Sequence, residues 1–490
     1  MTLTITTSPA ESGRLVPLLD TLPKWRGAVR LRMAPTPDAT DGMTLVVDDR
    51  GVRPALPWGD AVPPYVLPPL PLSAESLAFY LELSEATEPT EAARAQLPDD
   101  VAHLTALVRG GLSAGRIPEG DDWRDAHDRA VLHHYAAVAL ADPEAAVAAY
   151  ERALAAAPDM PSFAFSAWQY ATLLLDLDRP ARAAAILERV EDAELPEGAR
   201  MAIKAIRLPA MLQAGGTELS ALTLDALRAD AVELELWYEG RDEPMRAALL
   251  RLDRAQLLQR LGRFGEGVAV VDGASRTFEE AGEAELFAAA ALRRAEVQHA
   301  WAQSGARDQF AKAMESFQEA LAVFDRDRAP HVFGAIHHQL AVLYAEMPVE
   351  PAKRAMLLAL AGQSFEAALG VFDVAQHPLH HAEIRANYGN ALLRCPESQL
   401  RDPVARAVAE LRTALAIHEA HGATGPEVLV RLNLLEALWQ LGYADDREAA
   451  ARLAELEAVH AGLVALPVPP ALHPDVDRWR ARLDAARAAR

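Results

Sequence analysis

Histidines that come in adjacent pairs have the longest chemical reach in this chain: His133-His134, His337-His338 and His380-His381, with His377 close to the last pair. An imidazole can hold a transition metal, but neighbours on a helix point about 100° apart, so no pair makes a site alone. No His-Glu-x-x-His run or spaced carboxylate accompanies them. His377 and His381 have the i, i+4 spacing of a shared helix face, yet Pro378 between them reads as a helix start. The expectation is core or surface histidine, with no metal and no cofactor. Cys395, the single cysteine, stands before Pro396 without His or Asp partners placed by sequence, and reads as an inert thiol. A Gly-x-Ser-x-Gly elbow, a phosphate-binding Gly-x-x-x-x-Gly-Lys loop and a dinucleotide fingerprint are all missing. Gly262 to Gly267 superficially has the glycine content of such a loop but reads as turn chemistry between helices.

One basic cluster interrupts an acidic chain: Arg26, Arg30, Arg32, Arg50 and Arg53, beside Trp25. These arginines suit either docking of the N-terminal segment onto acidic helices or recognition of an anionic ligand or partner. An activity, if the chain has one, would sit there. The main expectation is a protein that is not an enzyme.

The elements that must position these residues follow from composition and pattern. At 490 residues the chain exceeds a single compact core, which stops growing at about 250 to 300 residues, so several domains or a stack are expected. A net charge of -22 and an isoelectric point near 5.1 argue against nucleic acid as a partner. One cysteine excludes an internal disulfide and fits a reducing, cytoplasmic setting. The N-terminus lacks a basic leader and an apolar run, and charges interrupt every Ala/Leu-rich segment before membrane-spanning length, so no membrane insertion is expected. Abundant alanine and arginine, against only four lysines, suggest a GC-rich bacterial source.

Residues 1–72 read as a β-hairpin and a Pro-rich strap. Gly27 to Met33 and Met43 to Val47 alternate as short strands, and Asp48-Asp-Arg-Gly51 supplies a hairpin turn. Seven prolines from Pro54 to Pro71 impose an extended course, and Trp58 and Tyr65 favour a strap lying on a helical surface over a free linker. Ser73 caps a helix from Ala74, and the 3.6-residue pattern then runs to the end, broken at Pro- and Gly-bearing turns.

Internal repeats decide the architecture. Phe317-Gln-Glu-Ala-Leu-Ala-Val-Phe324 aligns with Phe365-Glu-Ala-Ala-Leu-Gly-Val-Phe372 and with Leu411-Arg-Thr-Ala-Leu-Ala-Ile-His418, shifts of 48 and 46 residues. The helix after each repeats too: Ile336 to Tyr344, Ile384 to Leu392 and Val430 to Leu438. Each helix pair has an apolar face it cannot bury alone, so the units stack. The fold class is therefore all-α, an α-solenoid of stacked antiparallel helix pairs with a small β and Pro-rich N-terminal segment. Its parts are residues 1–72, N-terminal repeats over 73–245, and repeats of about 46 residues with a capping helix over 246–490.

Tyr150-Glu-Arg-Ala-Leu-Ala-Ala-Ala-Pro158, Trp168-Gln-Tyr170-Ala-Thr-Leu-Leu174, Leu261-Gly-Arg-Phe264 and Tyr388-Gly-Asn-Ala-Leu-Leu393 resemble the tetratricopeptide repeat family over about residues 120 to 460. The longer period, with Asn387-Tyr-Gly-Asn390 before a Pro-containing loop, resembles a variant found beside caspase-like or nucleotide-binding domains in bacterial signalling proteins; helical pattern leaves no room for such domains here. The resemblance implies a superhelix whose groove is lined by the first helix of each unit. It carries His338, Gln339, Asn387, Asn390, Asn433 and Glu436 to the groove, where asparagine can grip an extended backbone. It implies a scaffold or adaptor for a partner protein or peptide. A sensor for a peptide or small ligand in the same groove is the alternative, and association with a second copy stays open.

Overall fold

The computed structural model describes residues 3–25, 27–33, 44–56, 58, 65–84, 120–135, 143–214, 219–394 and 402–488. It is an all-α repeat solenoid with a small N-terminal sheet, nineteen α-helices among the described residues. None of them is long and apolar enough to cross a membrane. The chain divides into two compact units, residues 1–237 and 238–490.

The first unit opens with β1 (Leu3–Thr7), α1 (Pro9–Asp20), β2 (Val29–Met33), β3 (Thr44–Asp48) and β4 (Gly51–Pro54). The sheet order is β2-β1-β3-β4, with β1 parallel to both neighbours and β3-β4 antiparallel. The expected hairpin is the β3-β4 pair, closed across Asp48 and Gly51. Strand β1 and helix α1 were not expected. They insert a β-α-β crossover, so β2 is paired with β1 and stands at the far edge from β4. Gly51 has φ +120°, and a Cβ there would lie 2.0 Å from the Leu70 carbonyl oxygen, so only glycine lets the proline strap pair back on Val52. Leu3, Ile5, Leu15, Trp25, Leu45, Val47, Val52 and Leu70 form the core beneath, with Leu77, Phe79 and Tyr80 from α2 (Ala74–Ser84). Ser73 caps α2 as expected, its hydroxyl accepting from the Ser76 amide.

Helices α3 (Trp123–Tyr135), α4 (Pro143–Ala156), α5 (Met160–Asp176), α6 (Pro180–Glu188), α7 (Glu197–Ala214) and α8 (Ala221–Glu239) follow, consecutive members packing as hairpins from α3 to α7. The proline segment is a strap on this surface. Trp58 meets Phe165 edge-on at 5.1 Å and Trp168 at 5.7 Å, Tyr65 packs with Val131 and Leu132, and the Val66 amide donates to Asp128 Oδ1 at 2.8 Å.

The second unit stacks five helix pairs: α9 (Pro244–Arg260) with α10 (Phe264–Ala281), α11 (Ala284–Gln303) with α12 (Gln309–Leu321), α13 (Pro330–Glu346) with α14 (Pro351–Leu369), α15 (Pro378–Leu393) with α16 (Pro403–His421), and α17 (Thr424–Gln440) with α18 (Asp446–Val464). Helix α19 (His473–Ala488) ends the chain. Proline opens five of them, where its fixed φ is preorganised and its missing N–H costs nothing. The repeated stripe is the core: Phe278, Phe317, Phe365 and Leu411 are fully buried, and Ala320, Ala368 and Ala414 beside them let helices approach closely. Among the described residues after Ser73 no strand interrupts the helices.

Candidate functional site

The two helices of each pair in the second unit have different neighbours. Three of the four successive pairs of first helices pack directly, α9 on α11, α13 on α15 and α15 on α17, whereas second helices make no comparable contact with one another. The first helices therefore form a row along one side of this unit. Small residues allow the close approach: Ala291 and Ala295 of α11, Ala341 and Ala345 of α13 and Ala391 of α15 belong to one core.

On this row the tenth residue of every first helix is polar: Asp253, Arg293, Gln339, Asn387 and Asn433. Three residues further on, on the same helix face, stand Gln256, Glu296, Val342, Asn390 and Glu436. Five of the six groove residues expected from the sequence occupy these two positions, Gln339, Asn387 and Asn433 the first and Asn390 and Glu436 the second, and His338 precedes Gln339. Their commitments differ. Asn387 Nδ2 donates to His338 Nε2 at 2.9 Å, tying α15 to α13. Glu436 is engaged by Arg482 of α19 at 3.2 Å and accepts from Gln440 at 3.0 Å. Gln339 is exposed, Asn390 and Asn433 are half-buried, and among the described residues none of these three amides has a hydrogen-bond partner. Burial lowers the pKa of His338, with Glu383 opposing, and burial likewise lowers that of His337, whose ring packs 4.3 Å from Phe333 with Nδ1 unpaired.

The α9-α11 end of the column was not singled out from the sequence. Asp253 is recessed there, and burial pushes its carboxyl up to about 6 against the pull of Arg293. Burial also raises Glu296, although Arg293 Nη1 stands 2.6 Å from its carboxylate. The only trace in the sequence is the Arg293-Glu296 spacing, an ordinary i, i+3 pair.

A second feature of the row is a clamp at its C-terminal rim. Glu346, the last residue of α13, accepts from His299 Nε2 at 3.1 Å, Gln303 Nε2 at 2.7 Å and Arg394 Nη1 at 3.1 Å. One carboxylate thus joins α11, α13 and the end of α15. Burial alone would raise its pKa, but hydrogen bonds from His299, Gln303 and Arg394 hold it down at about 2.

In the first unit the arginines expected to cluster are spread out. Arg30 and Arg32 lie on β2, at one sheet edge, while Arg50 and Arg53 belong to the β3-β4 hairpin at the other, three strand spacings or about 14 Å away. The intervening β1 and β3 separate them. Arg53 turns back to Asp48 at 2.7 Å, and Arg50 reaches Asp159, the cap of α5, at 3.6 Å. Arg26 lies outside the described residues, as does Cys395. Two of the paired histidines are committed within the fold: His134 contacts Tyr150 at 3.2 Å and Asp176 at 3.1 Å, and His381 uses both ring nitrogens, on the Phe372 carbonyl at 2.8 Å and Arg385 Nε at 2.8 Å. Gly262 lies in the α9-α10 turn, and Gly267 inside α10.

No protein-family model and no curated protein matches the chain. Among solved structures it is similar to one described as a circular tandem repeat protein with novel repeat topology and enhanced subunit contact surfaces, at 12% identity and a TM-score of 0.22, covering 84% of this chain and 90% of that one.

Proposed function

We propose that this chain is a non-catalytic interaction scaffold of the tetratricopeptide-like kind, holding an extended segment of a partner protein along the first-helix row of its second unit. The observation that carries this reading is the polar column at the tenth residue of five successive first helices, three of whose nearby amides are uncommitted. An amide offers a donor and an acceptor to a peptide backbone, so it grips main chain without demanding a side chain. Helices packed about 8–10 Å apart set the column's rise, which matches about three residues of extended chain per repeat. Five members span about 40 Å, or about twelve extended residues. The acidic balance of the chain supports a protein or peptide partner over nucleic acid, and the lone cysteine supports a cytoplasmic setting.

The test is affinity capture by the tagged full chain beside a Gln339→Ala, Asn390→Ala, Asn433→Ala triple variant. Among the described residues these side chains have no hydrogen-bond partner, so each change is expected to move stability by less than about 0.5 kcal/mol. A partner retained by the unaltered protein and lost by the triple variant, with equal circular-dichroism melts, supports the scaffold. A partner held equally by both removes the column from the account.

The sensor reading draws on the Glu346 clamp. A carboxylate spanning three first helices is a joint whose making or breaking changes their spacing, so a small ligand in the groove has an element to act on. Thermal-shift screening addresses this, since a ligand at 100 times its Kd stabilises by about 2.7 kcal/mol.

A further inference from the structure

The histidine reading of the sequence weighed His377 against His381, four residues on. The fold pairs His377 instead with His331, 46 residues earlier. His331 is the second residue of α13 and His377 caps α15, and both rings pack around Phe372, which follows α14, at 5.9 and 5.6 Å. Their Nε2 atoms face each other at 3.2 Å, with ring centres 4.9 Å apart and planes at 79°. His331 is exposed and His377 half-buried. Among the described residues no other hydrogen bond engages either ring. That distinguishes them from His134, His338 and His381, whose nitrogens are used by the fold.

We propose that His331 and His377 are the protein ligands of a bidentate site for a divalent transition-metal ion of the zinc, nickel or copper class. Two imidazole nitrogens bound tetrahedrally to one zinc at about 2.0–2.1 Å stand about 3.3 Å apart, close to the separation already present. A straight N–H···N bond of this length would place the ring centres about 5.5 Å apart, since each nitrogen lies about 1.15 Å from its ring centre. The shorter observed distance means that the two nitrogens do not face each other along one straight axis, as a simple ring-to-ring hydrogen bond would have them. Imidazole is the ligand that zinc, nickel and copper share, whereas magnesium and calcium prefer oxygen. No group of three or more His, Cys, Asp or Glu that could hold a metal occurs among the described residues, so water completes the coordination and the ion stays exchangeable. A bound ion would cross-link the start of α13 to the segment leading into α15, fixing two successive first helices at their N-terminal ends, opposite the Glu346 clamp. This site is independent of the partner-binding column.

Isothermal titration of the full chain with zinc chloride, repeated with nickel chloride, tests it. The unaltered protein is expected to show a strongest site of one equivalent, weakened at least tenfold by His331→Ala and by His377→Ala and kept by His380→Ala, whose ring also lies on Phe372. His331→Gln, which keeps polar bulk at the helix start, is expected to lose the site with an unchanged circular-dichroism melt, which separates ligation from folding. Absence of a one-equivalent site in the unaltered protein, or its survival in both alanine variants, overturns the proposal. Equal loss in His380→Ala overturns the two-ligand assignment.

Discussion

Replacing Glu346 by Gln isolates the charge of the clamp while preserving most of its shape. With a carboxyl held at about 2 in the fold and at an ordinary value near 4.5 in the unfolded chain, the ionised group contributes about 3 kcal/mol at neutral pH. The sign follows from the lowered pKa: the contribution is fully present above about pH 4.5 and is lost as pH falls through about 2. At pH 3 it has shrunk to about 1.4 kcal/mol. A repeat stack need not unfold in one step, so the readout should be local. Hydrogen exchange of amides in α11, α13 and the end of α15 is therefore the assay, compared between the native protein and Glu346→Gln at both pH values. The expected difference in protection is about 300-fold at pH 7, narrowing to about tenfold at pH 3. A difference that does not change with pH would refute the reasoning, because it would mean that the carboxylate carries no charge-specific stabilisation.

Three further substitutions probe the packing and the strap. Gly389→Ala places a Cβ 2.8 Å from Leu411 Cγ and 3.2 Å from the Ala407 carbonyl, so it should push α15 from α16 and lower stability by about 1–3 kcal/mol, read in a urea melt. Asp253→Asn removes a carboxyl whose pKa is raised to about 6, and a raised acid costs stability once pH exceeds its unfolded value near 3.8. The variant should accordingly be more stable than the native protein at pH 7, with the gain fading below about pH 4 in parallel melts. Asp128 is fully buried, which raises its carboxyl well above the ordinary carboxylate range, and it accepts from Val66; Asp128→Ala should cost about 1–3 kcal/mol and expose the strap to proteolysis near Tyr65, whereas Asp128→Asn should keep the contact.

Much of the fold could be read before the structure because its signals are local. Proline at helix starts, the Phe317, Phe365 and Leu411 stripe and the buried alanines beside it each fix a helix or its packing face from a few neighbouring residues. Trp58 and Tyr65 were legible as a strap because apolar rings require a surface. Strand β1 and helix α1 were overlooked although their signals are present: Leu3-Thr-Ile-Thr-Thr7 is a β-branched run, and the Ser8 hydroxyl caps the Glu11 amide in a helix opened by Pro9. That omission is why Arg30 and Arg32 read as one cluster with Arg50 and Arg53, since nearness along the chain stands for nearness in space only when no strand intervenes. The residues expected to line a groove were assigned by the repeat, which relates the faces that equivalent residues occupy on successive helices. What takes up its side chain is set by distant chain, as Arg482 takes Glu436 and His338 takes Asn387. Asp253 and the His331-His377 pair were hidden for the same reason, being ordinary residues until a neighbouring repeat surrounds them.

The most direct test of the account asks where the partner lies. A photo-crosslinking amino acid would be placed at position 339 on the first-helix row and, separately, at Gln318, an exposed residue of the second helix α12, before exposure to native lysate. The account predicts a discrete crosslinked partner from position 339 and none from position 318. Equal crosslinking at both positions, or a captured partner that never crosslinks at 339, would contradict it.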